Sequence, residues 1–152
     1  MKPYPTLLYT LSRLRWRITR PVTLGVRLLL VKDQNVLLVR HTYQPYWFLV
    51  GGGVKRHETL QEAARREAAE EVGAQLGALR LHGVFTNFFD YKSDHVVVLV
   101  CADFTLTDRQ DYEIERRAFF PFDHLPDDIA AGHKRRIREY AGGQTGAIVE
   151  MW

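Results

Sequence analysis

The spacing of apolar and polar positions changes several times along this chain, and each change marks an element. Residues 7–18, LLYTLSRLRWRI, put Leu7, Leu8, Leu11 and Leu14 on one side of a short helix, with the arginines largely opposite. Two apolar, β-branched runs within residues 22–41 flank Asp33-Gln34-Asn35, a pattern that predicts a hairpin. WFLV at 47–50 predicts a short strand running into Gly51-Gly52-Gly53. From Leu60 to Glu71 strong helix formers dominate; Thr59 is a good N-cap, Glu62 completes a capping box, and Gly73 fits the residue just past the end. Two longer β-type runs follow, ALRLHGVFTNFFD (78–90) and HVVVLVCADFTL (95–106), separated by the polar turn YKSD. YEIERRAFFPF (112–122) predicts a further strand, and LPDDI starts a last helix through about Tyr140. The order β-β-β-α-β-β-β-α predicts a mixed sheet covered by helices.

The central helix carries a conflict. Wound at roughly 100° per residue, it places Glu67, Glu70 and Glu71 on the same side as Leu60, Ala63 and Ala64, the stripe that ought to meet the core. Burying carboxylates unpaired costs roughly several kcal/mol each. Arg66 reaches Glu70 at i,i+4, but one arginine does not neutralise three acids. A hard divalent cation does, and the i, i+3, i+4 spacing brings three side chains within reach of one site. For the helix alone, a solvated acidic face is an equal alternative. The loop in front shifts the balance: three glycines between a strand and a helix N-terminus let the backbone approach a ligand and offer N–H groups to phosphate.

Gly52, Glu58, Arg66-Glu67, Ala68, Glu70-Glu71 and Gly73-Ala74 stand at the spacing G-x5-E-x7-R-E-U-x-E-E-x-G-U, where U is usually a bulky aliphatic. In this the stretch resembles the Nudix box. WFLVGGGV and FFPFDHLPDDI resemble the lead-in and the C-terminal passage of a complete Nudix domain over about residues 20–142. The resemblance implies an α/β (α+β) fold, an α/β/α sandwich with a mixed sheet, and hydrolysis of the diphosphate bond in a nucleoside diphosphate linked to another moiety. Nucleotide sugars, ADP-ribose-like compounds and nucleoside triphosphates all belong to that class. It implies Mg²⁺ or Mn²⁺ held by Glu67, Glu70 and Glu71 with the Gly52 carbonyl, a Glu58–Arg66 pair shaping the loop-helix turn, and Gly53 within that loop. Two departures bear on the loop: Lys55 stands where an acid is common and is read as solvated, and His57 stands where glycine is common. Histidine adopts positive φ more readily than most residues, and the His57 ring can reach the site. Ala68 and Ala74 at the aliphatic positions trim packing only.

For the general base, Glu71 is the candidate inside the box; Glu113, Glu115, Asp90 and Asp94 are the candidates outside it, each read first as a surface residue. His95 opens an apolar strand and reads as structural, while His41 is a weaker ligand contact. Of two aromatic groups, Trp47, Phe48 and Phe85 are assigned to the core, and Tyr43, Tyr46 and Phe89 to stacking on a nucleobase.

Composition bounds the rest. With 152 residues, 46% hydrophobic, one domain with a real core is expected. No apolar run spans a bilayer, the N-terminal stretch fails as a signal peptide, and the single Cys101 reads as a buried small hydrophobe, so a cytoplasmic protein is expected. Residues 1–20 hold Lys2, Arg13, Arg15, Arg17 and Arg20 without an acid, a charge of +5, so the other residues sum to −2 of the net +3. That divides the chain into a basic amphipathic arm (1–20), expected to pack on its own domain or a second subunit, and a hydrolase domain (21–152). The apolar side of the arm makes a homodimer a candidate assembly. RNA is a less favoured partner, because the basicity belongs to the arm. A nucleotide sensor without turnover and an RNA 5′-end pyrophosphohydrolase are the competing functions; three retained glutamates weigh against the first.

Overall fold

The computed structural model describes residues 15–109, 111–144 and 147–152, and of Phe89 the backbone only. Strand β1 (Val22–Lys32) organises it. Val26, Leu28 and Leu30 are buried on one face and Leu29 and Val31 on the other. A strand apolar on both faces needs cover on both. Helix α1 (Leu60–Val72) supplies one cover through Ala63, Ala64, Ala68 and Val72, and helix α2 (Ala131–Ala141) supplies the other through Ile137. The expected α/β/α sandwich is therefore present.

The strands are β2 (Asn35–His41), β3 (Trp47–Leu49), β4 (Ala74–Leu76), β5 (Arg80–Phe89), β6 (Lys92–Cys101), β7 (Phe104–Leu106), β8 (Ile114–Pro121) and β9 (Ile148–Met151). The large mixed sheet runs β3-β2-β1-β6-β5-β9, with β8 also on β2. β1 and β2 pair only beside their turn, at Val31↔Val36 and Lys32↔Asn35, so the sheet splays into two halves. In the opening between them β1 meets the glycine segment, through bridges Gly25↔Gly53 and Leu28↔Val50.

Several expectations shift. The YKSD turn tightens to Asp90-Tyr91, both at positive φ (47° and 64°), so β6 starts at Lys92; two positive-φ residues match the twist of a hairpin. The run 95–106 breaks at Ala102-Asp103, and β7 leaves the main sheet to pair with β4. The last helix starts at Ala131, not in LPDDI. There the backbone pairs with Trp47 instead, whose N–H donates to the Asp128 carbonyl (2.9 Å) and whose carbonyl accepts from the Ala130 N–H (3.1 Å). β9 was not expected at all; it lies parallel to β5 on the sheet edge. Residues 15–19 are helical, and the rest of the expected 7–18 helix lies outside the described residues. Cys101, Trp47 and Phe85 are buried as expected, while Phe48 is only partly so.

Candidate active site

Helix α1 forms because its ends are specified. The Thr59 hydroxyl accepts from the Glu62 N–H (3.2 Å), the Glu62 carboxylate accepts from the Thr59 N–H (2.8 Å), and Gly73 turns left-handed at φ 61°. Such a cap contributes about 1 kcal/mol. The buried stripe is nearly all alanine, so the helix axis comes close to the sheet. Glu67 and Glu71, one turn apart, flank that stripe and enter the opening between the sheet halves. Glu70 does not: its side chain is 49% exposed at the helix margin.

The glycine segment receives them. Gly51 has φ +133°, and a Cβ there would strike the Val26 carbonyl at 2.2 Å, so only glycine fits. A Cβ on Gly52 would lie 2.6–2.8 Å from the Glu67 carboxylate. Gly53 faces open space, so the third glycine is not required sterically. The Gly51 N–H donates to Glu71 Oε2 (2.9 Å), and the Gly52 carbonyl accepts from the Val26 N–H (2.9 Å). Arg66 clamps loop to helix: Nε and Nη2 donate to Glu58 (2.6 and 2.9 Å), Nη2 to the Gly53 carbonyl (3.0 Å), and Nη1 to Glu67 (2.6 Å) and Glu70 (3.2 Å). The Arg66 hydrogen bonds hold the Glu58 carboxyl down at about 2.

A cleft of about 270 Å³ opens at this point, lined by Glu67, Glu71, Gly51 and Gly52 together with Arg27, His41, Tyr43, Gln44, Phe48 and Glu113. Glu71 is buried there, and desolvation pushes its pKa up to about 7; Glu67 and Asp111 push the same way, against the Gly51 N–H and Arg27. Arg27 is the cationic wall, and its guanidinium donates to the Gly51 carbonyl. Burial lowers its pKa, opposed by the charges of Glu71 and Glu67. Sequence reasoning missed Arg27. The signal was there, a single charge inside the apolar run VTLGVRLLLV. His41 Nε2 lies 3.9 Å from Glu71 Oε1, its Nδ1 is buried without a partner, and the Tyr43 ring stacks on it at 5.2 Å between centroids. Burial and then Arg27 keep the imidazole toward its neutral form.

The remaining candidates divide. Tyr43 lines the cleft; Tyr46 does not and is 51% exposed. His57 holds the left-handed turn at φ 61° but is exposed and outside the lining, so its place in the loop is conformational. Glu113 lines the cleft, whereas Glu115 turns outward toward Arg40 (3.9 Å). Asp94 accepts from the Thr23 hydroxyl (2.5 Å), and His95 Nδ1 meets the Thr86 hydroxyl (3.1 Å), as a structural histidine does. The side chain of Phe89 lies outside the described residues.

The donor chemistry fits a hard dication. Two carboxylates face one opening lined also by Gly51 and Gly52, whose carbonyls accept from Arg27 and from the Val26 N–H, and the strained ionisation of Glu71 is what a cation would relieve. Among the described residues no three acid, imidazole or thiol groups already converge as a ligand set; Arg66 pairs with both Glu67 and Glu70.

A model of the NUDIX domain family matches residues 19–140. The ADP-ribose pyrophosphatase of Methanocaldococcus jannaschii is 26% identical over 137 residues, covering 87% of this chain and 80% of that protein. Among solved structures, the MutT NUDIX hydrolase from Burkholderia pseudomallei superposes with a TM-score of 0.70 at 22% identity, covering 77% of this chain and 96% of that one. A NUDIX hydrolase from Nitrosomonas europaea gives a TM-score of 0.68 at 23% identity, over 86% of this chain and 78% of that one.

Proposed function

The chain belongs to the NUDIX family and is a pyrophosphohydrolase, and from that premise we propose that it hydrolyses the diphosphate bond of a nucleoside diphosphate joined to a second group, with ADP-ribose the first compound to try. The observation that carries this is the cleft itself: paired carboxylates, a partly buried arginine and an aromatic wall meet in one opening of about 270 Å³. That volume falls just below the roughly 300–1,000 Å³ of sites that engulf a whole drug-sized ligand. It suits a diphosphate held inside, with the flanking groups spread over the rim. The name of the Methanocaldococcus jannaschii relative favours ADP-ribose among the class.

Glu67 and Glu71, the Gly52 carbonyl and, after release from Arg66, Glu70 would hold Mg²⁺ or Mn²⁺. The cation supplies charge neutralisation of the diphosphate and of the leaving oxygen. Arg27 binds diphosphate oxygens on the wall opposite α1, where desolvation strengthens the contact. Tyr43, backed by His41, offers the flat surface on which a base stacks, worth about 1–3 kcal/mol. Glu113 takes the proton of the attacking water, since Glu67 and Glu71 are committed to the cation.

The test is hydrolysis of ADP-ribose, nucleotide sugars, dinucleoside polyphosphates and nucleoside triphosphates with Mg²⁺ or Mn²⁺, beside Glu67→Gln. Metal-dependent cleavage of a diphosphate-linked nucleoside, lost in the variant, is the expected result. Binding without turnover across the panel would replace the proposal with a nucleotide sensor.

A further inference from the structure

At one end of the molecule apolar side chains are left uncovered by the described residues. The registers of β1, β6 and β5 align Val22, Ser93 and Phe88 in one row and Leu24, His95 and Thr86 in the next. By the two-residue period of strands, both rows share the face of Val26 and Val97, which lie in the core under α1. The cover ends there: Val22 is 72% exposed, Phe88 68%, Leu24 42%, and Ile18, in the helical stretch before β1, 79%.

The charges around these side chains are mainly of one sign. Arg15, Arg17 and Arg20 are exposed on the approach to β1, within the segment 1–20 that carries +5 while the remaining residues sum to −2. Lys55 and Arg56 are exposed on the glycine loop, which is tied to this end by the Val54 N–H donating to the Leu24 carbonyl (2.9 Å) and by the Gly25–Gly53 bridge. The nearby acids are Asp90, in the β5–β6 turn, Asp94, which accepts from the Thr23 hydroxyl, and Glu58, which accepts from the Lys55 N–H (2.8 Å) and is paired with Arg66.

We propose that this end is a docking surface for an anionic lipid bilayer. Ile18, Val22, Leu24 and Phe88 enter the boundary between headgroups and acyl chains, and Arg15, Arg17, Arg20, Lys55 and Arg56 meet lipid phosphates. Each alternative occupant leaves half of the surface unexplained. The chain's own residues 1–14, which hold Lys2 and Arg13 and no acid, would cover the apolar side chains and leave the cations without a partner. A second copy docked about a two-fold axis would cover the apolar side chains but supply the same basic surface, with few acids to pair the arginines. A nucleic acid would satisfy the cations and leave four aliphatic and aromatic side chains in water. No helix among the described residues is long and apolar enough to cross a membrane, and the proposed contact is interfacial. Because Leu24 and the glycine loop are hydrogen-bonded neighbours, docking here is contiguous with the loop that lines the cleft.

The experiment is co-sedimentation of the full chain with vesicles of phosphatidylcholine alone and of phosphatidylcholine with phosphatidylserine, across a salt series. Binding to the anionic vesicles only, weakening as salt rises, is the expected result. Arg15→Ala, Arg17→Ala and Arg20→Ala together lower affinity about 100-fold, at roughly five-fold per charge near the surface. Ile18→Asp and Phe88→Asp, at separate points of the surface, each reduce binding at least ten-fold, while thermal melts and solution hydrolysis stay unchanged and show the fold intact. Failure to sediment with anionic vesicles overturns the proposal, as does equal binding to neutral ones or indifference to both aspartate substitutions. A solution dimer that Phe88→Asp dissociates would assign the surface to a second copy. Binding to single-stranded RNA without vesicle binding would assign it to nucleic acid.

Discussion

Replacing Glu71 with glutamine should stabilise the metal-free protein at pH 8 while removing its hydrolytic activity. The Glu71 side chain is 13% exposed, and its carboxyl titrates at about 7 in the folded protein against 4.5 in the unfolded chain. Between those values the folded state binds the extra proton, so stability falls as pH rises from about 4.5 to 7 and stays reduced above that. At about 1.4 kcal/mol per pKa unit the ionised carboxylate costs about 3 kcal/mol. Glutamine matches the neutral acid in shape and still accepts from the Gly51 N–H, so it escapes that cost. At about 2–4 °C per kcal/mol for a domain of this size, the variant melts about 6–12 °C above the natural protein at pH 8. At pH 5 the cost is only about 0.8 kcal/mol, and the gap narrows to about 2–3 °C. The assay is thermal unfolding followed by circular dichroism, in a chelator, from pH 5 to 8, read as the difference between the proteins so that shared titrations cancel. Adding Mg²⁺ or Mn²⁺ raises the melting temperature of the natural protein more than that of the variant. Parallel pH curves, or a variant that is less stable at pH 8, would refute the reasoning, because the burial of Glu71 would then not be what raises its pKa.

Further outcomes separate the parts of the site. Gly52→Ala displaces the Glu67 carboxylate and lowers kcat/KM by at least ten-fold, whereas Gly53→Ala, which meets open space, leaves it within two-fold; steady-state kinetics on both variants compare them. Arg27→Met is expected to raise KM and lower kcat together, about 10²-fold in kcat/KM, by removing the cation that faces the diphosphate; Arg27→Lys recovers only part, which the same assay reads. Tyr43→Leu weakens substrate binding by about 1–3 kcal/mol and Tyr46→Leu has no effect, measured by calorimetry with a non-hydrolysable substrate analogue. His133, which accepts from the Leu49 N–H (3.1 Å), is held neutral by burial far below 6.5, so the unfolded chain alone gains its proton as pH falls. Stability therefore drops below about pH 6.5, by up to about 1.4 kcal/mol per pH unit, and His133→Asn flattens that limb in acid melts.

How much of this was legible beforehand depends on whether the information is local. The capping box of α1 and its left-handed end at Gly73 are set by neighbours in sequence and were readable. The Glu58–Arg66 pair, eight residues apart within the stretch Gly52 to Ala74, came only from the resemblance of that stretch to the Nudix box. Helical periodicity also brought Glu67 and Glu71 to the inner side, but it could not separate them from Glu70, because the margin of the buried stripe depends on how closely the alanine face approaches β1. Arg27, His41 and Glu113 arrive from β1, β2 and the segment before β8, and they share a cleft only because β2 leaves β1 after two paired residues and the halves splay. No periodicity encodes that separation. The same cause explains β9, whose four residues pair with β5 across a long chain separation. It also explains the late start of α2, where Trp47 captures the Asp128–Ala130 backbone before a helix can form. The local motif thus specifies the acidic side of the cleft, and the topology of the sheet supplies the opposite wall. Under the proposed function Arg27 and Glu113 meet the diphosphate and the water that every candidate substrate shares, so preference within the class is expected to follow from Tyr43 and His41 on that wall.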